Sequence, residues 1–137
     1  MRPNRIGENE IAAVSAGLSQ RDSLFLKRIY AGGVQKYIDR LDAIGFSGQR
    51  ANALDAGCGF GQWSVAMSSR IGHVVGIDVS QVRVDTVKKI SREIPNLEFQ
   101  QGSISQLPFP DNHFDFVFSF SVIYYTDVRS TIQELVR

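Results

Sequence analysis

From Asp22 to Gly45 apolar residues recur at three- and four-residue steps: Leu24, Phe25 and Ile29, then Val34, Tyr37, Ile38, Leu41 and Ile44. That is the period of amphipathic helices, and Gly32-Gly33 divides the stretch into two of them. Gly45 reads as a helix stop and "FSGQRA" as the loop that follows. The first twenty residues are polar and mixed, which leaves two readings open, a helix folded over a ligand or a loose arm. Beyond Asn52 the pattern changes to short apolar runs, "NALDA", "HVVGID", "LEFQQ" and "FDFVFSFS". Between the first three lie the helical stretches "QWSVAMSSR" and "QVRVDTVKKISREI". This order predicts a parallel α/β sheet with right-handed crossovers. In the second helix Ser80 is the expected cap, Val84, Val87, Ile90 and Ile94 the sheet-facing side, and Pro95 the stop. Val128, Ile132, Leu135 and Val136 predict a last amphipathic helix.

A chain of 137 residues, 43% hydrophobic, suits one globular domain. With 15 Lys and Arg against 14 Asp and Glu and no basic run, a nucleic-acid partner is not expected. "FDFVFSFSVIYY" carries a charge and is too short to span a bilayer, and "MRPNRIGENE" lacks the apolar core of a signal peptide. The expectation is a cytoplasmic protein without a membrane partner. The single cysteine, Cys58, excludes an internal disulfide, and two distant histidines offer no metal-ligand spacing.

The turn after the first predicted strand is "LDAGCGFGQW", with glycines at 57, 59 and 61. Glycine reaches backbone conformations closed to other residues and lets a ligand lie against bare main chain, while the helix beyond offers unpaired N–H groups to a negative group. A tight strand-to-helix turn needs one such residue or two; the third argues for a cradle. Open parallel sheets bind ligands at this edge, where the carboxyl ends of the strands meet. A dinucleotide fingerprint places its third glycine sixth in the motif, whereas here Gly61 is fifth and Gln62 sixth.

With Asp55 ahead of the glycines, "LDAGCGFG" resembles the D-x-G-x-G-x-G motif of the class I S-adenosylmethionine-dependent methyltransferases. The resemblance runs over residues 51–137, with residues 1–50 as a helical cap or lid. It implies a Rossmann-like α/β three-layer sandwich whose parallel strands lie in the order 3-2-1-4 behind the N-terminal helices, with S-adenosyl-L-methionine as cofactor. Gly57, Cys58, Gly59 and Gly61 would form the cradle, and Asp55 would face the cofactor's ammonium directly or through water. Asp78, closing "VVGIDVS" 17 residues past Gly61, would accept the ribose hydroxyls, with Val79 beside it. "FQQGSISQLPFPDNHFDFVFSFSVIYY" resembles the segment following the third strand in the type 11 and type 25 subgroups. It implies Ser103 and Ile104 flanking the adenine and Ser119 near the methionine moiety. Two departures stand out. Ser103 replaces a frequent aspartate and gives the adenine a weaker, uncharged hydrogen bond. Tyr124 and Tyr125 replace frequent histidines, as walls of an acceptor pocket or as core.

The implied reaction is in-line displacement, in which a nucleophilic atom of a small-molecule acceptor takes the methyl group and S-adenosylhomocysteine leaves. The protein's task is alignment and exclusion of water. No catalytic residue is assigned: His73 and His113 lie away from the expected reaction centre, and Cys58 holds a position that wants a small side chain. Tyr30 and Lys36 are candidates to close over the methionine end, with ordinary helix packing as the alternative. The family sheet has seven strands and this sequence supplies four. The chain is therefore expected to be a fragment with little or no turnover, its fourth strand (Phe116, Val117, Phe118, Phe120) left as an apolar edge. Two other functions stay open: a non-catalytic S-adenosylmethionine-binding or interaction module, and an NAD-dependent oxidoreductase, which the glycine spacing argues against.

Overall fold

A computed structural model describes residues 6–120 and 122–137, with the Tyr124 side chain outside the description. Three helices come first, α1 (Glu8–Ser15), α2 (Gln20–Tyr30) and α3 (Gln35–Ala43). The α1 segment is thus a helix and not a loose arm, with Ile6 and Ile11 buried in the main core. Ser19 caps α2 by accepting the Asp22 N–H. Gly32 and Gly33, both at positive φ, turn the chain from α2 into α3.

The sheet follows as β1 (Gly48–Ala56), β2 (Ile71–Asp78), β3 (Leu97–Gln101) and β4 (Phe116–Phe118). All pairs are parallel and the spatial order is β3-β2-β1-β4. Helices α4 (Gln62–Met67) and α5 (Gln81–Ile90) make the crossovers from β1 to β2 and from β2 to β3. A 3-10 turn (Ile123–Tyr125) and α6 (Val128–Leu135) complete the order. Side chains alternate across the strands. Ala53 and Val74 enter the core built by the N-terminal helices and α4, whereas Leu54, Ala56, Val75 and Ile77 enter a second core with Ile104, against which Leu135 of α6 packs. Burial on both faces explains why β1 and β2 read as continuous apolar runs.

Four features differ from the sequence reading, and the first is that β1 begins at Gly48, inside the "FSGQRA" stretch read as a loop. The α5 helix ends at Ile90, before Pro95, because the Ser91 hydroxyl turns back to the Val87 carbonyl at 2.7 Å and the Ile94 N–H closes a turn on Ser91. Ile94 is still buried, beside Val84, Val87 and Ile90. Strand β4 has three residues, pairing Ala53 with Phe116, Leu54 with Val117 and Asp55 with Phe118. It stops where β1 runs out, and the Ser119 hydroxyl donates to the Ala56 carbonyl at 3.1 Å. In α6 the expected apolar stripe is not the buried face: Val128, Ile132 and Val136 are exposed, while Thr131 is fully buried and bonded to the Thr126 hydroxyl. Among the described residues β4 has β1 as its one partner and forms an edge.

Candidate functional site

Strand β1 delivers the 57–61 loop to the carboxyl edge of the sheet. There the Gly57 and Cys58 N–H groups both donate to the Ile77 carbonyl, at 2.8 and 2.9 Å, and the Gly61 N–H donates to the Cys58 carbonyl. The Gly59 N–H donates to Asp78 Oδ2 at 2.9 Å, and the Ser80 N–H donates to Asp78 Oδ1 at 2.9 Å. These amides are engaged within the protein, so what the loop offers a ligand is space rather than donors. The glycines divide accordingly. A Cβ on Gly61 would strike Val87 and Phe99, and one on Gly57 would strike Val122, so both positions are closed by packing. Gly59, at φ +57, opens on empty space. Only there does the loop present bare backbone outward.

The expected site residues gather along this edge, with the side chains of Asp55, Cys58 and Ile104 turned inward. Asp78 is 7% exposed, bonded to Gly59, and each of its oxygens keeps a further lone pair for a ligand hydroxyl. Its carbonyl accepts the Gly102 N–H at 2.9 Å, which places the β3 end, and exposed Ser103, beside it. Ser103 Oγ accepts the Ser105 N–H. Val79 is exposed, and so is Val82 in the first turn of α5, an apolar neighbour that no motif had singled out. Ile104 is buried in the core behind the sheet, so its side chain is fixed there. Ser119 closes the edge at β4. Asp55 instead lies beneath α4, 2% exposed, accepting the Ser64 hydroxyl at 2.5 Å. Burial, and after it the neighbouring Asp78 charge, raise its carboxyl pKa to about 7 against the pull of Ser64. The Cys58 thiol is pushed up by burial first, then by Asp55 and Asp78, which keeps it protonated. Nothing in the sequence paired Asp55 with Ser64; the contact arises because α4 folds back over β1.

Tyr30 and Lys36, the lid candidates, are both bonded to main-chain carbonyls, Tyr30 to the glycine loop and exposed Lys36 to its own helical layer. Tyr30 donates to the Phe60 carbonyl at 2.7 Å, and Lys36 donates to the Ala31 carbonyl at 2.9 Å. His73 faces Glu98 at 3.4 Å across β2 and β3, and His113 stacks on Phe109. His73 lies near the amino end of β2 and His113 in the turn before β4, at the other end of the strands from the glycine loop. Two cavities also lie away from that edge. One of about 80 Å³ sits between the turn before β4 and α6, and a groove of about 330 Å³ runs between α5 and β3. Among the described residues no three His, Cys, Asp or Glu side chains gather as metal ligands do, and no helix is long and apolar enough to cross a membrane.

Residues 53–137 match the family described as methyltransferase domain. Demethylmenaquinone methyltransferase of Staphylococcus saprophyticus is 33% identical over 91 residues, 64% of this chain and 39% of that protein. The chain thus spans about two fifths of the length of that curated relative. Among solved structures, the YcgJ protein of Bacillus subtilis superposes with a TM-score of 0.69 at 26% identity, covering 75% of this chain and 45% of that one. The Haloferax volcanii protein solved in complex with the Trm112 methyltransferase activator gives a TM-score of 0.69 at 26% identity, covering 93% of this chain and 54% of that one. The second match takes in most of the N-terminal helical layer as well as the sheet.

Proposed function

The chain belongs to the methyltransferase domain family, and from that premise we propose that its carboxyl edge holds S-adenosyl-L-methionine for methyl transfer to a small-molecule acceptor. The observation that carries the reading is the Gly59–Asp78 pair. Asp78 fixes the Gly59 N–H at 2.9 Å, and Gly59 alone of the three motif glycines opens on empty space. A carboxylate with free lone pairs beside an uncovered stretch of main chain fits a ribose diol and the methionine segment that follows it. S-adenosylmethionine, when bound, supplies a methyl carbon activated by the positive sulfur. Asp78 binds the ribose hydroxyls, Gly59 lines the methionine segment, and exposed Val79 and Val82 flank the adenine together with Ser103. Ile104 contributes main chain only, since its side chain is in the core. Ser119, tied to the Ala56 carbonyl, fixes the β4 end beside the methyl-donor segment.

Asp55 has a supporting role in this reading. Bonded to Ser64 and buried, it reaches the ammonium through its field or through water rather than by direct contact. No side chain of the described edge is placed as a general base, so alignment and the exclusion of water carry the rate. Helices α1 to α3 form the layer that backs the cofactor loop, and the sheet from Gly48 onward with α4 to α6 forms the cofactor-binding unit.

Titration calorimetry with S-adenosylmethionine, S-adenosylhomocysteine and NAD tests the reading. Binding of the first two and not of NAD is expected; a preference for NAD would replace methyl transfer with hydride transfer. Transfer from methyl-labelled S-adenosylmethionine then separates an enzyme from a binding module. Demethylmenaquinone, named for the Staphylococcus relative, is the first acceptor to assay.

A further inference from the structure

The 57–61 loop is held from outside the sheet. Phe60, its one large side chain, is fully buried, with the Phe25 ring centroid at 5.9 Å and the Arg83 guanidinium 5.5 Å from its own ring centre. Its carbonyl accepts the hydroxyl of Tyr30, the last residue of α2, at 2.7 Å. The N–H of the same peptide unit, that of Gly61, donates to Cys58 at 2.9 Å. This unit joins Phe60 to Gly61, which sits at φ +75 and has no Cβ to restrict rotation on its side of the plane. A peptide plane with glycine on one side is held in one orientation when both its polar groups are anchored. Here Tyr30 anchors one end and Cys58 the other. Burial, followed by Cys58, Tyr37 and Asp55, pushes the Tyr30 phenol well above its ordinary range, so it remains a protonated donor.

We propose that Tyr30 is a positioning residue for the cofactor: by holding the Phe60–Gly61 peptide plane it sets the shape of the loop at Gly59 and ties cofactor affinity to the docking of the N-terminal helices. This rests on the assignment of the loop as the cofactor cradle. Tyr30 touches the cofactor through the loop and not directly. Its phenol is a device that the glycine motif does not contain and that the sequence motif gives no reason to expect.

A matched variant exists within the same layer. Tyr37 is also buried and donates its hydroxyl to a main-chain carbonyl, that of Ile29, at 2.6 Å, but this carbonyl belongs to α2 and not to the loop. Tyr30→Phe and Tyr37→Phe each delete one buried phenol–carbonyl bond, and thermal melts establish that both variants are folded. Two readouts follow: hydrogen exchange at the Gly61 amide, which needs no ligand, and the affinity for S-adenosylhomocysteine. In Tyr30→Phe, Gly61 exchange should rise about tenfold and affinity fall about fivefold or more, the size of one lost hydrogen bond. Tyr37→Phe should shift both by less than about twofold. Equal changes in the two variants, or none in Tyr30→Phe, overturn the proposal. Faster Gly61 exchange confined to Tyr30→Phe, in a chain whose wild type binds no S-adenosylhomocysteine, overturns the cofactor assignment and supports the hold on the loop.

Discussion

Asp55 Oδ2 accepts the Ser64 hydroxyl at 2.5 Å beneath α4, with 2% of Asp55 exposed. The motif carboxylate therefore braces the start of the helix it precedes. With its folded pKa raised to about 7 from 3.8, the folded chain keeps a proton that the unfolded chain releases between those values. The resulting stability is fully present below about pH 4 and is lost as pH rises through about 7. A shift of this size corresponds to about 4 kcal/mol. Asp55→Asn keeps a polar partner for Ser64 and removes the titration. Urea unfolding at pH 5 and pH 8.5 should show wild type losing about 2–4 kcal/mol more than the variant over that interval. Parallel pH dependence in the two proteins would mean that Asp55 is ionised throughout.

The motif glycines should separate in their effects. Gly61→Ala drives a Cβ into Val87 and Phe99, so the fold should lose about 2–4 kcal/mol. Gly59→Val meets open space but sits at φ +57, a strain of about 1–2 kcal/mol. It should fold and fail to bind S-adenosylhomocysteine. Calorimetry on Gly59→Val is decisive: retained affinity places the ligand away from the loop.

Much of this was legible in the sequence because the signals were local. Period and glycine placement gave α2, α3, a parallel sheet and the loop, the family resemblance gave the strand order, and Ser80 caps α5 as expected, accepting the Arg83 N–H at 3.3 Å. What escaped depends on which faces meet in three dimensions. The Asp55–Ser64 and Tyr30–Phe60 bonds join residues 9 and 30 positions apart, and no local spacing encodes them. The α6 helix forms where the spacing predicts, but its buried face escaped for a related reason. Val128, Ile132 and Val136 have helical spacing, yet the buried position is Thr131, whose hydroxyl is satisfied by Thr126. An apolar stripe says that a face can be covered, not that this sheet covers it.

Asp78 holds Gly59 and Ser80 as well as its proposed ligand. Asp78→Ala should therefore weaken nucleoside binding by about 2–4 kcal/mol and also loosen the loop. Adenosine titration compared with S-adenosylhomocysteine titration checks this: both should lose affinity by a similar factor, because the ribose is common to them. A loss confined to S-adenosylhomocysteine would move Asp78 to the amino-acid end.

The open side of β4 and the outer face of α6 each leave apolar side chains uncovered. Val117 is 38% exposed in an edge strand with β1 as its one partner among the described residues, and Ile132 is 46% exposed on the helix that follows. Unpaired strand groups next to uncovered aliphatic side chains favour edge-to-edge contact between copies. Sedimentation velocity of the 137-residue chain should show concentration-dependent association. A charge on the edge opposes such pairing, so Val117→Lys should reduce association, and Ile132→Lys should do the same through the helix face. Val117 pairs with Leu54 and Ile132 lies on α6, and neither bonds to Ile77, Asp78 or Tyr30, which hold the 57–61 loop, so affinity for S-adenosylhomocysteine should stay within about twofold of wild type. Association unchanged in both variants would place the contact between copies elsewhere on the surface.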